Sequence, residues 1–299
     1  AYLQSIELLD ASIALVDYSV AAVPAAAPSK NASVCIVDCT DQNSGGVLSA
    51  EPAISSSRSL YGNVSAHKRA EALRFDLLFE RAWCSWLNGS IDSARESFEE
   101  LLELSSDKLK KAAVFRVLIE LENSIANFSA SVELALQCLK MFDIEIEARP
   151  GQERMLAEYE RVWQKIGARA IEDLIDLPEM TDRETLAVME ILLVLHLASL
   201  SVDQNLFLLC GCLMVNLSLD AGNCDISPFG YIYFGSTLPR NFGNFQDAVR
   251  FGSLAARLMD KRGLNMQRAR MDLIFSVISF WTQGKKSCFE FAQKSFDSA

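Results

Sequence analysis

The sequence predicts an all-α protein assembled from helical hairpins, on three observations. Only 14 glycines and 7 prolines occur in 299 residues, too few for the many tight turns of a β-sandwich or barrel. From His67 onward, apolar residues recur at spacings of three and four, the period of one face of an α-helix. A glycine-punctuated frame also returns along the chain, the mark of a repeat architecture. Half of the residues are hydrophobic and 22% are charged, which supports a sizeable core and excludes wholesale disorder.

In chain order, residues 1–18 predict a first helix. Residues 19–66 change character: Ser, Ala, Gly and Pro dominate, and Val34-Cys35-Ile36-Val37 is the one short apolar run. Such a composition buries too little to offset its ordering entropy, so a disordered low-complexity insert is expected. Residues 67–142 then predict two hairpins. Phe75, Leu78, Phe79, Ala82, Trp83 and Trp86 mark one first helix, and Val114, Val117, Leu118, Leu121 and Ile125 the other.

The best copy of the frame runs from Gly89 through Ile91 and Ala94 to Phe98. It returns at Asn127-Phe128, with Ser131 in the small slot and Ala135 in the Phe slot, and again as Gly243, Phe245, Ala248 and Phe251. A degenerate last copy follows Gly284, with Phe289 and Phe291. The glycine permits a left-handed turn, the aromatic or Ile wedges between paired helices, and the small residue lets them approach. Ile91 and Phe128 stand 37 positions apart, close to the tetratricopeptide period. A single hairpin cannot bury its apolar face alone, so the expected architecture is a tetratricopeptide-like (TPR-like) α-α superhelix, a helical-hairpin solenoid with one insert. Residues 143–299 are expected to be divergent TPR-like repeats. The chain starts at Ala1 and stops while a helical pattern is running, which reads as a piece of something longer.

Within that second half, Leu156, Tyr159, Val162, Trp163 and Ile166 fall on one helix face. Asp176-Leu177-Pro178 predicts a stop, because the residue before proline avoids the α region. Thr181 to Glu184 reads as a capping box with Thr181 as the N-cap. Ser227-Pro228-Phe229-Gly230 reads as a loop before an aromatic helix. The most apolar stretch is split by Asp203 into uncharged runs Ile191–Val202 and Gln204–Leu219. Each is shorter than the roughly 20 residues of a spanning helix, so two buried helices and no membrane partner are expected.

The 8 cysteines lie largely in apolar helical stretches, where a free thiol behaves as a small hydrophobe. Buried free thiols in a reducing cytoplasm are the expectation. Cys35/Cys39 and Cys210/Cys212 lack a second Cys/His pair at zinc-like spacing, so no metal is expected. Of the two histidines, His67 reads as a solvated helix start and His196 as a core residue among leucines. No phosphate-cradling lysine loop, serine elbow or zinc-protease motif occurs, and Gly45-Gly46 sits in the insert. No catalytic residue and no cofactor are therefore expected.

Two charge features remain. Glu172, Asp173, Asp176, Glu179 and Asp182 cluster around Pro178, and a solvated acidic edge is the simpler reading. Between positions 250 and 270, six cations (Arg250, Arg257, Lys261, Arg262, Arg268, Arg270) face Asp260 alone. A solvated face is again the simpler reading. The alternatives are docking to an acidic partner, to an acidic segment of the same molecule, or to nucleic acid. The net charge of −11 argues against nucleic acid, because phosphates are repelled at long range.

The string Arg169-Ala170-Ile171-Glu172-Asp173-Leu174-Ile175-Asp176-Leu177-Pro178-Glu179-Met180-Thr181-Asp182 carries a resemblance. So do Phe75–Ala82 upstream and Asn205–Phe207 with Met214–Ser218 downstream. Together they resemble the helical middle region of large multidomain signalling proteins of bacteria and fungi. Those proteins join a serine/threonine-kinase-like domain, an AAA-type ATPase, a TPR-like region, a GAF domain and a sensor histidine kinase. The resemblance covers about residues 70–260, and the insert 19–66 departs from it.

It implies a non-catalytic scaffold in phosphorelay signalling. The partners would be flanking domains of the same polypeptide or a signalling protein, relaying partner or effector binding to ATPase and histidine-kinase modules. The alternatives are the sensor arm of an ATPase-type transcription regulator, or a stand-alone protein–protein adaptor. Asp173, Asp176, Leu177, Pro178, Met180 and Asp182 are the expected partner-contact surface.

Overall fold

The apolar spacing of three and four resolves into helices throughout. The computed structural model describes residues 2–21, 55–264, 267–282 and 284–297. Among them are twelve α-helices and one short 3-10 helix, with no strand beyond an isolated bridge between Glu179 and Asn223. The protein is all-α. Positions 22–54 of the expected insert, with Cys35, Cys39 and Gly45-Gly46, lie outside the described residues, and positions 19–21 and 55–66 are helical.

The chain divides into two compact units, Ala1–Leu104 and Ser105–Ala299. The first holds α1 (Tyr2–Ala21), α2 (Ser55–Leu87) and α3 (Ile91–Leu104). In it, α2 packs against both α1 and α3. Its core joins Leu78 and Ala82 of α2 to Ala94, Phe98 and Leu101 of α3. The Phe79 ring meets Phe98 edge-on at 5.6 Å.

The second unit runs through α4 (Lys108–Ser124), α5 (Phe128–Lys140), α6 (Gln152–Ile166), the 3-10 helix Ile171–Asp176, α7 (Arg183–Val202), α8 (Gln204–Ala221), α9 (Ser227–Phe242), α10 (Phe245–Arg262), α11 (Arg268–Thr282) and α12 (Lys285–Asp297). Neighbours in sequence pair off: α4 with α5, α7 with α8, α9 with α10, α11 with α12. Further packing joins α6 to α8, α8 to α9, and α11 to α9.

The repeated frame marks real turns. Gly89, Gly243 and Gly284 all adopt positive φ, where a residue without Cβ has no steric penalty. At the second frame the left-handed residue is Ala126 (φ 59°), which stands two before Phe128 as Gly89 stands two before Ile91. Both turns close alike, Ser90 N donating to Ser85 O and Asn127 N to Glu122 O, each at 2.9 Å. The small residues Ala94, Ser131 and Ala248 are completely buried.

Two local expectations are corrected. Ser227–Gly230 is not a loop: Pro228 sits in the first turn of α9, where its missing N–H is not needed. The N-cap of α7 is Asp182 rather than Thr181. Its carboxylate accepts from Thr185 N and Oγ1 at 2.8 and 2.6 Å, so a charged acceptor one residue later takes the capping role.

By length and composition, α7 and α8 are each apolar enough to cross a membrane. Here 44% and 56% of their apolar windows are buried, Asp203 ending α7 and capping α8 through Leu206 N at 2.9 Å.

Candidate functional site

The residues expected to contact a partner form a strap, the 3-10 helix and the extended residues after it. Asn223 fastens this strap with all of its polar groups. Its N–H donates to Pro178 O (2.7 Å) and its carbonyl accepts from Met180 N (2.9 Å). Its Nδ2 donates to Leu174 O (2.8 Å), and its Oδ1 accepts from Tyr231 OH (2.9 Å). Gly222 before it stands at φ +99°, and a Cβ there would overlap the Pro178 carbonyl.

Charge grips the strap as well. Arg250 Nε and Nη2 donate to the two oxygens of Glu172 at 2.8 and 2.6 Å, and Nη1 donates to Asp247. Lys261 reaches Asp176 Oδ1 and Ile175 O, both at 3.1 Å. Arg262 takes Glu179 bidentately (2.7 and 2.6 Å) and Asp225 through Nε (2.7 Å). The Arg250 guanidinium holds the Glu172 carboxyl down to about 2, and Arg262 likewise lowers Glu179. The acidic cluster and much of the basic stretch are thus each other's partners, the same-molecule alternative rather than two solvated faces.

This arrangement revises the expected contact surface. Met180 is only 2% exposed and is withdrawn as a contact residue: its side chain belongs to the core. Leu177 is half-buried, while Asp173 and Pro178 are exposed. Asp173 folds back to accept from Ala170 N, Asp176 pairs with Lys261, and Asp182 caps α7. Sequence reasoning missed Asn223. The Gly222-Asn223 pair was its only signal, and a turn dipeptide does not reveal what it fastens.

His196 is 3% exposed and stacks on Tyr233 (3.8 Å), with the Phe207 ring tilted against it (4.1 Å). Its Nε2 has no hydrogen-bond partner within the chain. Burial, with Arg270 nearby, pulls its pKa down to about 3. A neutral, enclosed imidazole of this kind is a packing group. Of the cysteines in described segments, Cys138, Cys210, Cys212 and Cys224 are buried, Cys84 and Cys288 half-buried, and all six are free. Burial pushes Cys138 and Cys210 up to about 12, which suppresses the nucleophilic thiolate. Among the described residues, no three His, Cys, Asp or Glu side chains gather into a metal site.

A second feature is a trough on the Ser105–Ala299 unit, between α7 and α11. One cavity of about 510 Å³ includes Leu197 and Arg270 in its lining. A second, of about 310 Å³, includes Leu200, Val277, Trp281 and Arg240. Leu197 and Leu200 are one turn apart on α7, and Arg270 and Val277 two turns apart on α11, so the cavities follow one another along the same two helices. The Arg270 guanidinium lies 5.3 Å above the Phe229 ring and 5.7 Å above Tyr233. Helical spacing alone read Leu197 and Leu200 as core, because apolar periodicity does not distinguish a covered face from an open one.

No protein-family model, curated protein or solved structure matches the chain.

Proposed function

We propose that the chain is a non-catalytic helical scaffold, a TPR-like superhelical region of a multidomain ATP-binding sensor kinase. It relays occupancy by a partner or effector to ATPase and histidine-kinase modules. The observation that carries this reading is the strap. The longest resembling string, residues 169–182, folds as one device, with Ile171, Leu174 and Met180 in the core and Glu172, Asp176 and Glu179 on the cations of α10. Hairpins turning through left-handed residues over completely buried small side chains support the TPR-like assignment. The enclosed, unprotonated His196 speaks against a phosphoacceptor role in this chain.

A relay requires that the bound partner favour one arrangement of the helices over another. Solution scattering of the chain, alone and joined to such ATPase and histidine-kinase modules, with and without partner, tests this. The expected result is a changed envelope on occupancy. An unchanged envelope in every combination overturns the relay, and ATP hydrolysis by the isolated chain overturns the non-catalytic assignment.

A further inference from the structure

We infer that the trough between α7 and α11 binds a short acidic segment of a partner protein, one presenting apolar side chains between two carboxylates. The inference deepens the scaffold reading and rests on it only in supposing that a protein partner is bound.

The apolar part comes from side chains left open on both walls. Leu197 is 51% exposed and Leu200 66% on α7, with Val277 at 46% and Trp281 at 45% on α11. Exposed apolar side chains gathered along a groove mark a contact site. The cavities of about 510 and 310 Å³ suit a few side chains rather than a whole domain face.

Charge names the occupant. Arg240 and Arg270 line the trough, and neither is ion-paired to a carboxylate among the described residues. Of the neighbouring cations, Arg250, Lys261, Arg262 and Arg268 are engaged by Glu or Asp, while Arg257 lies outside the trough. In a chain with 39 acidic and 28 basic residues, two unclaimed guanidiniums beside open leucines are a specific complement to carboxylates. Arg270 is held in place by the rings beneath it, so little freedom is lost when it pairs. Arg240 lies two turns along α9 from Tyr233, about 10 Å by helical rise. Carboxylates at that separation, with Leu- or Phe-like groups between, meet both cations and the exposed apolar side chains. The trough's own acids, Glu120 and Glu190, are turned to Arg116 (2.8 and 3.6 Å), and they disfavour a nucleic-acid backbone.

The test begins with a display library of random dodecapeptides selected on the intact chain. Enriched peptides are then measured by fluorescence polarisation, as acids and with each Asp or Glu replaced by its amide. The variants Leu200→Ser and Arg240→Gln alter exposed side chains, and circular dichroism and melting confirm their fold. Enriched peptides are expected to carry acidic residues flanking Leu or Phe. Each variant, and each amide peptide, should weaken binding by about tenfold, and added salt should weaken it further.

Several results overturn the inference: no enrichment, enrichment without acidic residues, or equal binding by the variants. Tighter binding of an RNA oligonucleotide, or self-association abolished by Leu200→Ser, does so too by assigning the trough to another occupant. These outcomes leave the scaffold reading standing, since its own test is the scattering envelope.

Discussion

His196 is the residue whose chemistry is most altered by its surroundings. Its folded pKa near 3 lies below the ordinary 6.5, so the unfolded chain takes up the proton first as pH falls. The neutral form therefore stabilises fully above about pH 6.5, and that contribution is lost as pH drops from 6.5 toward 3, at about 1.4 kcal/mol per pH unit. Denaturant titrations across this range should show the slope, and His196→Phe should flatten it above the carboxylate range. Ala126 offers a test of opposite sign. It is exposed and left-handed where its repeat counterparts are glycine, a conformation costing an L-residue about 1 kcal/mol. Ala126→Gly is expected to raise stability by about 0.5 kcal/mol, the relief being reduced by glycine's greater freedom when unfolded. Thermal melting checks it.

At the scale of elements, the strap concentrates the energetics. Gly222→Ala sets a methyl against the Pro178 carbonyl at a backbone angle that disfavours alanine, and should cost about 2–4 kcal/mol, read from urea midpoints. Arg262 is 17% exposed while Glu179 and Asp225 are largely solvated. Arg262→Ala should therefore cost only about 1 kcal/mol, yet it should raise the Glu179 titration midpoint, followed by NMR, and reduce the salt dependence of stability. Helices and their turns were legible because spacing and glycine positions are local signals. The Glu179–Arg262 and Glu172–Arg250 pairs were visible only as two separate charge clusters, since sequence gives sign and abundance but not which faces meet. Thr181 and Asp182 are both competent caps, and only backbone geometry chose between them.

At the scale of the whole molecule, the Ser105–Ala299 unit carries its own core, from Val117 and Leu121 through Ile191, Leu195 and Leu209 to Phe234 and Phe251. A chain of residues 105–299 is expected to give a helical spectrum and a cooperative melt. A broad, non-cooperative melt would show that this core does not suffice. The trough escaped the sequence for the converse reason. Leu200 and Val277 have the same periodicity as buried neighbours, and only the assembled unit shows which apolar stripe stays open.

The cations gripping the strap run from Arg250 to Lys261 and Arg262, twelve residue steps along α10 and about 18 Å of axis. A slide by one turn, roughly 5.4 Å, would unseat all of these bonds together rather than one after another. Spread over that length, the three cations hold the strap in one register along the helix as well as against it.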